Sequence, residues 1–159
     1  MKERDVLKLI HHRHRITDPR HGDTPRYIVI EHPNAGPVIG DAAALRTLDA
    51  LVLDRYLTRG HREVAGYEVK CNRADVLREL RNPAKAEAWS RYCHRFWLVA
   101  AEPGLVTVDE LPATWGLMVV EDTTRLTVVK RASLNKRPRP LPGIADLMWR
   151  AIKTDRDNR

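Results

Sequence analysis

Apolar and polar residues alternate through the middle of the chain, and this pattern predicts a β-sheet. Between Ala65 and Lys70 every second side chain is apolar, which is typical of a strand with two different faces. Residues 48–53 are apolar apart from Asp49, and residues 96–101 form an unbroken apolar run of the kind found in buried central strands. Further strands are predicted at residues 26–31, 116–121 and 126–130.

Helical signals separate these strands. Asn72 is a good N-cap and Asp75 follows three residues later, so a helix is predicted to begin at residue 72 or 73. Other helices are predicted at residues 1–15, 84–94 and 141–154, and residues 130–140 are read as a basic, proline-rich linker or DNA-contacting arm. All 159 residues fit one domain. The expected fold is α/β, with a mixed sheet of four or five strands flanked by helices.

One carboxylate, that of Asp49, lies inside an apolar strand. An unpaired buried charge is costly, so this group needs a partner. Glu68 and Lys70 lie two residues apart on another predicted strand and therefore project from the same face. A divalent metal ion shared by Asp49 and Glu68, with Lys70 beside it, would supply the partner. The alternative is an ordinary surface ion pair between Glu68 and Lys70.

The order aspartate, spacer, Glu-x-Lys resembles the PD-(D/E)xK nuclease superfamily, which has the restriction-endonuclease-like fold. The neighbouring segments resemble the MmcB-like DNA-repair and phage nuclease branch of that superfamily, from about residue 27 to residue 120. The segments that carry the resemblance are Gly66-Tyr67-Glu68-Val69-Lys70, residues 73–80, Lys85-Ala86-Glu87, residues 92–99, Leu111-Pro112 and Trp115-Gly116-Leu117. The chain departs from that branch at Asn72 and Ala74, where serine is usual.

The resemblance implies an endonuclease that uses Mg²⁺ or Mn²⁺ to hydrolyse DNA, in repair, recombination or phage DNA metabolism. It implies that Asp49 and Glu68 bind the metal, with the backbone carbonyl of Val69 as a further ligand. A glutamate upstream of the aspartate often completes such a site, and Glu31 is the best-placed candidate. Lys70 would orient or deprotonate the attacking water or stabilise the transition state, and the residues leave these roles open.

A net charge of +7 favours an anionic partner, and DNA is the leading one. Candidate phosphate contacts occupy two places, namely the polar stretch between the acid-bearing strands and the helical region after them. Arg59 and Arg62 lie in the polar stretch, and Arg73, Arg78 and Lys85 lie in the helical region. The alternative is that these charged residues only form solvated loops and helix faces without a binding role.

Several other classes of protein are disfavoured. No apolar run approaches about 18 residues, so no membrane span is expected, and the N-terminus lacks the apolar core of a signal peptide. Two cysteines are too few for a disulfide framework and suit a reducing compartment, so a cytoplasmic location is expected. The chain has no nucleophile elbow and no phosphate-binding glycine loop.

Two alternatives stand beside the endonuclease. The first is a non-catalytic DNA-binding or protein-interaction module that retains the motif on the same fold. The second is a structure-selective enzyme such as a Holliday-junction resolvase, which would need a homodimer to cut paired strands. Metal-dependent nicking of plasmid DNA separates the first alternative from an endonuclease, and mass in solution together with branched DNA tests the second.

The basic residues predict DNA binding that depends strongly on salt and little on sequence. Each phosphate contact that is removed should lower the slope of log affinity against log salt by about one. The measurement is DNA affinity as a function of salt concentration for the wild type and for single arginine-to-alanine variants. An affinity that barely changes between low and moderate salt would show that the basic surface does not contact DNA.

Overall fold

The computed structural model describes residues 1–17, 25–33, 47–56, 62–82, 84–141 and 143–157. Over these residues the chain forms α-helices, strands and one short 3₁₀-helix, and none of these helices is long and apolar enough to cross a membrane. In chain order the elements are α1 (Glu3–His14), β1 (Tyr27–Glu31), β2 (Ala50–Asp54), β3 (Val64–Lys70), α2 (Arg73–Arg81), α3 (Ala84–Ser90), β4 (Arg95–Ala100), the 3₁₀-helix (Val108–Glu110), β5 (Gly116–Glu121), β6 (Arg125–Lys130) and α4 (Ile144–Asp157).

The six strands lie side by side in one sheet, in the same order as in the chain. β1, β2 and β3 are antiparallel neighbours, β3, β4 and β5 run parallel, and β5 and β6 form an antiparallel hairpin. Because parallel neighbours need a crossover, α2 and α3 lie between β3 and β4 in the chain. The predicted α/β fold with a mixed sheet flanked by helices is confirmed, with six strands instead of four or five.

The two faces of β3 contact different helices. The hydroxyl of Tyr67 lies 2.8 Å from Nε2 of His14 in α1, whereas Lys70 forms an ion pair with Glu79 of α2. Side chains alternate along a strand, so Tyr67 and Lys70 point to opposite faces. α1 therefore packs against one face of β3 and α2 against the other, which explains why every residue of β3 is buried.

Gly66 allows β4 and the chain after α3 to pack directly on β3. A Cβ atom at this position would lie 2.9 Å from Cδ2 of Phe96 and 3.0 Å from Sγ of Cys93, closer than side-chain atoms normally approach. Glycine is therefore required where the aromatic ring crosses the strand. Gly66 shares its face with Glu68 and Lys70, so this close packing borders the candidate site.

Several element boundaries differ from the predicted ones by a few residues. β2 begins at Ala50 and leaves Asp49 just outside the strand. α3 ends at Ser90 instead of residue 94, because the chain turns there before β4. α4 begins at Ile144 and continues to Asp157, whereas the prediction placed this helix at residues 141–154.

The basic, proline-rich segment at residues 130–140 has no regular secondary structure after β6 and is attached to the body of the domain. Backbone N–H groups along it donate to carbonyl groups at 2.8 to 3.0 Å, in the pairs Ser133 to Thr114, Asn135 to His94, and Arg139 to Arg91. Ala132 is buried at its start, while Lys136 and Arg137 are exposed. The segment is thus fixed along this length, and its contact with DNA remains a prediction.

The N-cap of α2 should contribute measurably to stability. The side chain of Asn72 accepts the N–H of Asp75 at 2.9 Å, as the sequence predicted. We expect Asn72→Ala to lower the free energy of unfolding by about 1 kcal/mol, because an N–H of the first turn loses its acceptor. Urea unfolding measures this loss, and Asn72→Ser, which keeps an acceptor, is the matched control. Equal stability of the two variants would contradict the assignment.

Candidate active site

Asp49 and Glu68 lie near each other at one end of the sheet, and the charge of Asp49 acts on Glu68. The ladder between β2 and β3 pairs Ala50 with Tyr67, and one further step in the same register places Asp49 opposite Glu68. Directly opposed residues of antiparallel strands project from the same face, with Cβ atoms about 5 Å apart. This register is compatible with the prediction that the two acids share a metal ion, which remains a prediction.

Asp49 is fixed by the backbone of the neighbouring strand. The N–H of Val69 donates to Oδ2 of Asp49 at 2.6 Å. The N–H and C=O of one strand residue point toward the same neighbouring strand, so the carbonyl of Val69 also faces the Asp49 side. The predicted carbonyl ligand thus has the right orientation to join Asp49 at a metal ion.

Lys70 lies between two carboxylates. Its Nζ is 2.7 Å from Oε1 of Glu68 and 3.0 Å from Oε2 of Glu79. All three residues are nearly inaccessible, with exposures of 7% for Lys70 and 4% for each glutamate. The pair of Glu68 and Lys70 is therefore not a surface ion pair. We refer to Asp49, Glu68, Lys70 and Glu79 as the charge cluster.

Glu79 was missed by sequence reasoning, although the sequence holds a signal for it. It follows Val76 by three residues, and Val76 is completely buried in α2. Residues three apart on a helix share a face, so a carboxylate at position 79 falls on the apolar stripe that faces the sheet. A charged residue on such a stripe needs a buried partner, and here the partner is Lys70.

The charge cluster has more negative than positive groups. Burial raises the pKa of Glu68 to about 7, and the charge of Asp49 adds to this effect, while Lys70 opposes it. Burial also raises the pKa of Asp49, against the hydrogen bond from Val69. Burial acts to lower the pKa of Lys70, but the two adjacent glutamates outweigh it and raise that pKa. Within the charge cluster, Lys70 thus pairs directly with Glu68 and Glu79, and its charge also acts on Asp49.

Two further residues, which sequence reasoning did not select, lie beside Asp49. The cluster of Glu3, His32 and Asp49 has one ligand atom from each residue within 4.8 Å of the others. The N–H of His32 donates to the backbone carbonyl of Asp49 at 2.9 Å, and Nε2 of His32 is 3.6 Å from Oε1 of Glu3. No local pattern could reveal Glu3, because α1 reaches this place only through the tertiary fold.

The structure does not bring Glu31 to Asp49. The carboxylate of Glu31 lies 2.8 Å from Nε2 of His11 in α1. The strand register places Glu31 on the same face as Tyr67, which is the face opposite the charge cluster. The upstream glutamate that lies beside Asp49 is Glu3, so the expectation for Glu31 is corrected by the alternation of side chains along β1.

Arg62 lies at the other end of the sheet from the charge cluster. It precedes Glu68 by six residues, which corresponds to roughly 20 Å along an extended chain. Arg62 is exposed, so it can contact a phosphate well away from the acids. Arg59 lies outside the described residues, and Lys85 lies within α3. Phosphate contacts at these three positions remain predictions.

Arg73 and Arg78 already have carboxylate partners. Arg73 forms an ion pair with Glu110 and donates to the carbonyl of Leu105 at 2.9 Å. Arg78 lies 2.9 Å from Asp75, and its side chain is 78% exposed. An exposed pair of this kind is weak, so Arg78 can exchange its partner for a phosphate more easily than Arg73 can.

A second polar region lies on the face of the sheet that α1 covers. It is a cavity of about 380 Å³, with Tyr67 and Trp97 among its lining residues. Four of its charged side chains form two ion pairs, since Arg26 is 2.6 Å from Asp54 and Arg95 is 3.0 Å from Glu63. The cavity contains no residue of the charge cluster.

Comparison with known proteins supports the fold. No family model and no curated protein matches the sequence. A solved structure, the SPO1766 protein of unknown function from Silicibacter pomeroyi, is similar, with 17% sequence identity and a TM-score of 0.57. The match covers 98% of this chain and 84% of that chain. At this identity the likeness shows the fold alone, so the nuclease resemblance remains a prediction.

The pKa of Glu68 predicts a pH-dependent stability of the metal-free protein. Its value is raised from 4.5 to about 7 in the fold, so the folded state holds a proton that the unfolded state releases. This contribution is complete below pH of about 4.5 and is lost as pH rises through about 7. Its size is on the order of 3 kcal/mol, because one pKa unit corresponds to about 1.4 kcal/mol.

The measurement is urea unfolding with chelator between pH 5 and pH 8, for the wild type and Glu68→Gln. The comparison with Glu68→Gln is necessary because burial lowers the pKa of His14 to about 4. The contribution of His14 to the free energy of unfolding therefore increases with pH, opposite to that of Glu68. We expect the wild type to lose stability relative to Glu68→Gln as pH rises. If the stability of the wild type relative to Glu68→Gln stays constant or increases as pH rises, the assignment is wrong.

Proposed function

We propose that this protein is a metal-dependent DNA endonuclease that hydrolyses phosphodiester bonds with Asp49, Glu68 and Lys70. The observation that carries the proposal is the convergence of these three residues at one end of the sheet, where Asp49 lies across from Glu68 and the ammonium of Lys70 is 2.7 Å from the Glu68 carboxylate. Buried carboxylates are stable only with partners. A divalent cation held by Asp49 and Glu68 would be such a partner.

The donor atoms suit Mg²⁺ or Mn²⁺. Carboxylate and carbonyl oxygens are the ligands that these hard cations prefer, and Asp49 lies across from Glu68 and is hydrogen-bonded to the backbone of Val69. Glu3 and His32 have ligand atoms within 4.8 Å of a carboxylate oxygen of Asp49 and could extend the ligand set. When bound, such an ion lowers the pKa of a water ligand and withdraws charge from a phosphate.

The residues of the chain have separate tasks in this proposal. Asp49 and Glu68 hold the cation and set its position relative to the strand ends. Lys70 is an ammonium group close to Glu68, and it stabilises the negative charge that develops on the phosphate in the transition state. Because the pKa of Lys70 is raised in the cluster, this role is favoured over deprotonation of the water.

Arg62 and Arg78 are exposed basic side chains that a polyanion can reach. Arg62 lies roughly 20 Å along the strand from Glu68, so an extended polymer could contact both. With a net charge of +7 for the whole chain, the negative charge cluster is a local exception. This pattern favours DNA as the substrate, and the resemblance to the MmcB-like nuclease branch implies a role in DNA repair, recombination or phage DNA metabolism.

The experiment combines thermal unfolding with plasmid cleavage in Mg²⁺, Mn²⁺ or chelator. Metal that binds only the folded state should stabilise the wild type by about 2.7 kcal/mol at a hundredfold excess over its dissociation constant. Asp49→Asn and Glu68→Gln should lose both this stabilisation and cleavage. Lys70→Ala should keep most of the metal-dependent stabilisation but lose cleavage by about 10²- to 10³-fold.

Glu102→Gln is the control, because Glu102 is exposed and lies outside the charge cluster. It should respond to metal and cleave DNA as the wild type does. Binding of metal and DNA without cleavage would favour a non-catalytic module. If Asp49→Asn and Glu68→Gln respond to metal as the wild type does, the proposal is wrong.

A further inference from the structure

We infer that Glu79 is a positioning residue that keeps the Lys70 ammonium in place when a metal ion binds the Glu68 carboxylate. This inference rests on the proposed function and assigns a task to a residue of α2 that the Asp and Glu-x-Lys pattern does not include. It follows from the position of Lys70 between two carboxylates that come from different elements of the fold.

The two partners of Lys70 differ in what else they can contact. Glu68 projects from β3 opposite Asp49, so its carboxylate can turn to a cation shared with Asp49. Glu79 projects from α2, and its Oε2 approaches Nζ of Lys70 at 3.0 Å. Lys70 therefore bridges a carboxylate on the metal side and a carboxylate on the helix side.

A metal ion on Glu68 would change the charge balance around Lys70. The cation would neutralise part of the negative charge of the Glu68 carboxylate, and it would repel the ammonium group a few ångströms away. Lys70 is nearly inaccessible to water, so it cannot leave its carboxylates without a large desolvation cost. Glu79 supplies the counter-charge that allows the ammonium and the metal ion to occupy the site together.

The structure fixes Glu79 well enough for this task. Glu79 lies on the buried side of α2, one turn from the completely buried Val76. The N-terminus of the helix is held by the side chain of Asn72. Groups that contact a metal ligand typically change metal affinity by about 10- to 100-fold when they are altered, and Lys70, which Glu79 positions, contacts Glu68.

The test is calorimetric titration of Mn²⁺ into four proteins: the wild type, Glu79→Gln, Lys70→Gln and the double variant. In Glu79→Gln, Lys70 has Glu68 as its remaining partner in the cluster and competes with the metal for it. We expect Mn²⁺ affinity to fall by about 10- to 100-fold. In the Lys70→Gln background the competing ammonium is absent, so Glu79→Gln should have an effect at least tenfold smaller.

An equal loss of affinity in both backgrounds would overturn the inference, because Glu79 would then act on the metal directly. Unchanged affinity in Glu79→Gln would also overturn it. In either case Mn²⁺ binding by the wild type, and its loss in Asp49→Asn, would leave the proposed function intact. If the wild type and Asp49→Asn bind Mn²⁺ equally, the proposed function and this inference both fail.

A second measurement does not depend on Lys70→Gln being folded. The ammonium protons of Lys70 are buried, so their NMR signals should exchange slowly with water. We expect these signals to persist in the wild type when Mg²⁺ is added, because Glu79 keeps the group paired. In Glu79→Gln, Mg²⁺ should broaden or abolish them. Signals that persist equally in both proteins would contradict a positioning role for Glu79.

Discussion

The ion pairs of Lys70 with Glu68 and Glu79 are the interaction on which the candidate site depends. A lone ammonium on the buried face of β3 would be very costly, and so would the carboxylates without it. Each group is tolerated because the other is present, and α2 is held against β3 where the two meet. Asp49 adds a third carboxylate beside Glu68, and its charge raises the pKa of Glu68 further. If the proposed cation binds here, its affinity is linked to the stability of the fold.

Much of the fold follows from local patterns in the sequence. The period-two alternation predicts β3, the cap at Asn72 predicts the start of α2, and the two apolar runs around residue 123 predict the final hairpin. Local patterns also indicated the site residues, since Asp49 is a carboxylate within an apolar run and Glu68 and Lys70, two apart on a strand, share a face. These predictions succeed because each depends on neighbours within a few residues, and the structure retains those local preferences.

The rest of the site depends on tertiary contacts that local patterns do not contain. Glu3 reaches Asp49 only because α1 returns to the end of the sheet. Glu31 was selected by its position near the end of β1, but the exact register of β1 against β2 turns its side chain to the other face. A shift of one residue in the pairing of β1 with β2 would turn the Glu31 side chain to the other face. The periodicity of the sequence does not determine this pairing. Glu79 could be predicted only in part. Its place on the apolar stripe of α2 follows from the sequence, whereas its pairing with Lys70 depends on the tertiary fold.

The agreement between strand order and chain order has a consequence for how the protein folds. Every strand pairs with the strand that precedes it in the chain, so the sheet can grow by adding one strand at a time. The charge cluster is built from a short stretch between Asp49 and Glu79, and it can form before β5 and β6 are present. Folding rates fall as the sequence separation of contacts increases. We therefore expect the part of the chain that contains the charge cluster to assemble early, and during synthesis it can do so while the C-terminal strands are still being made.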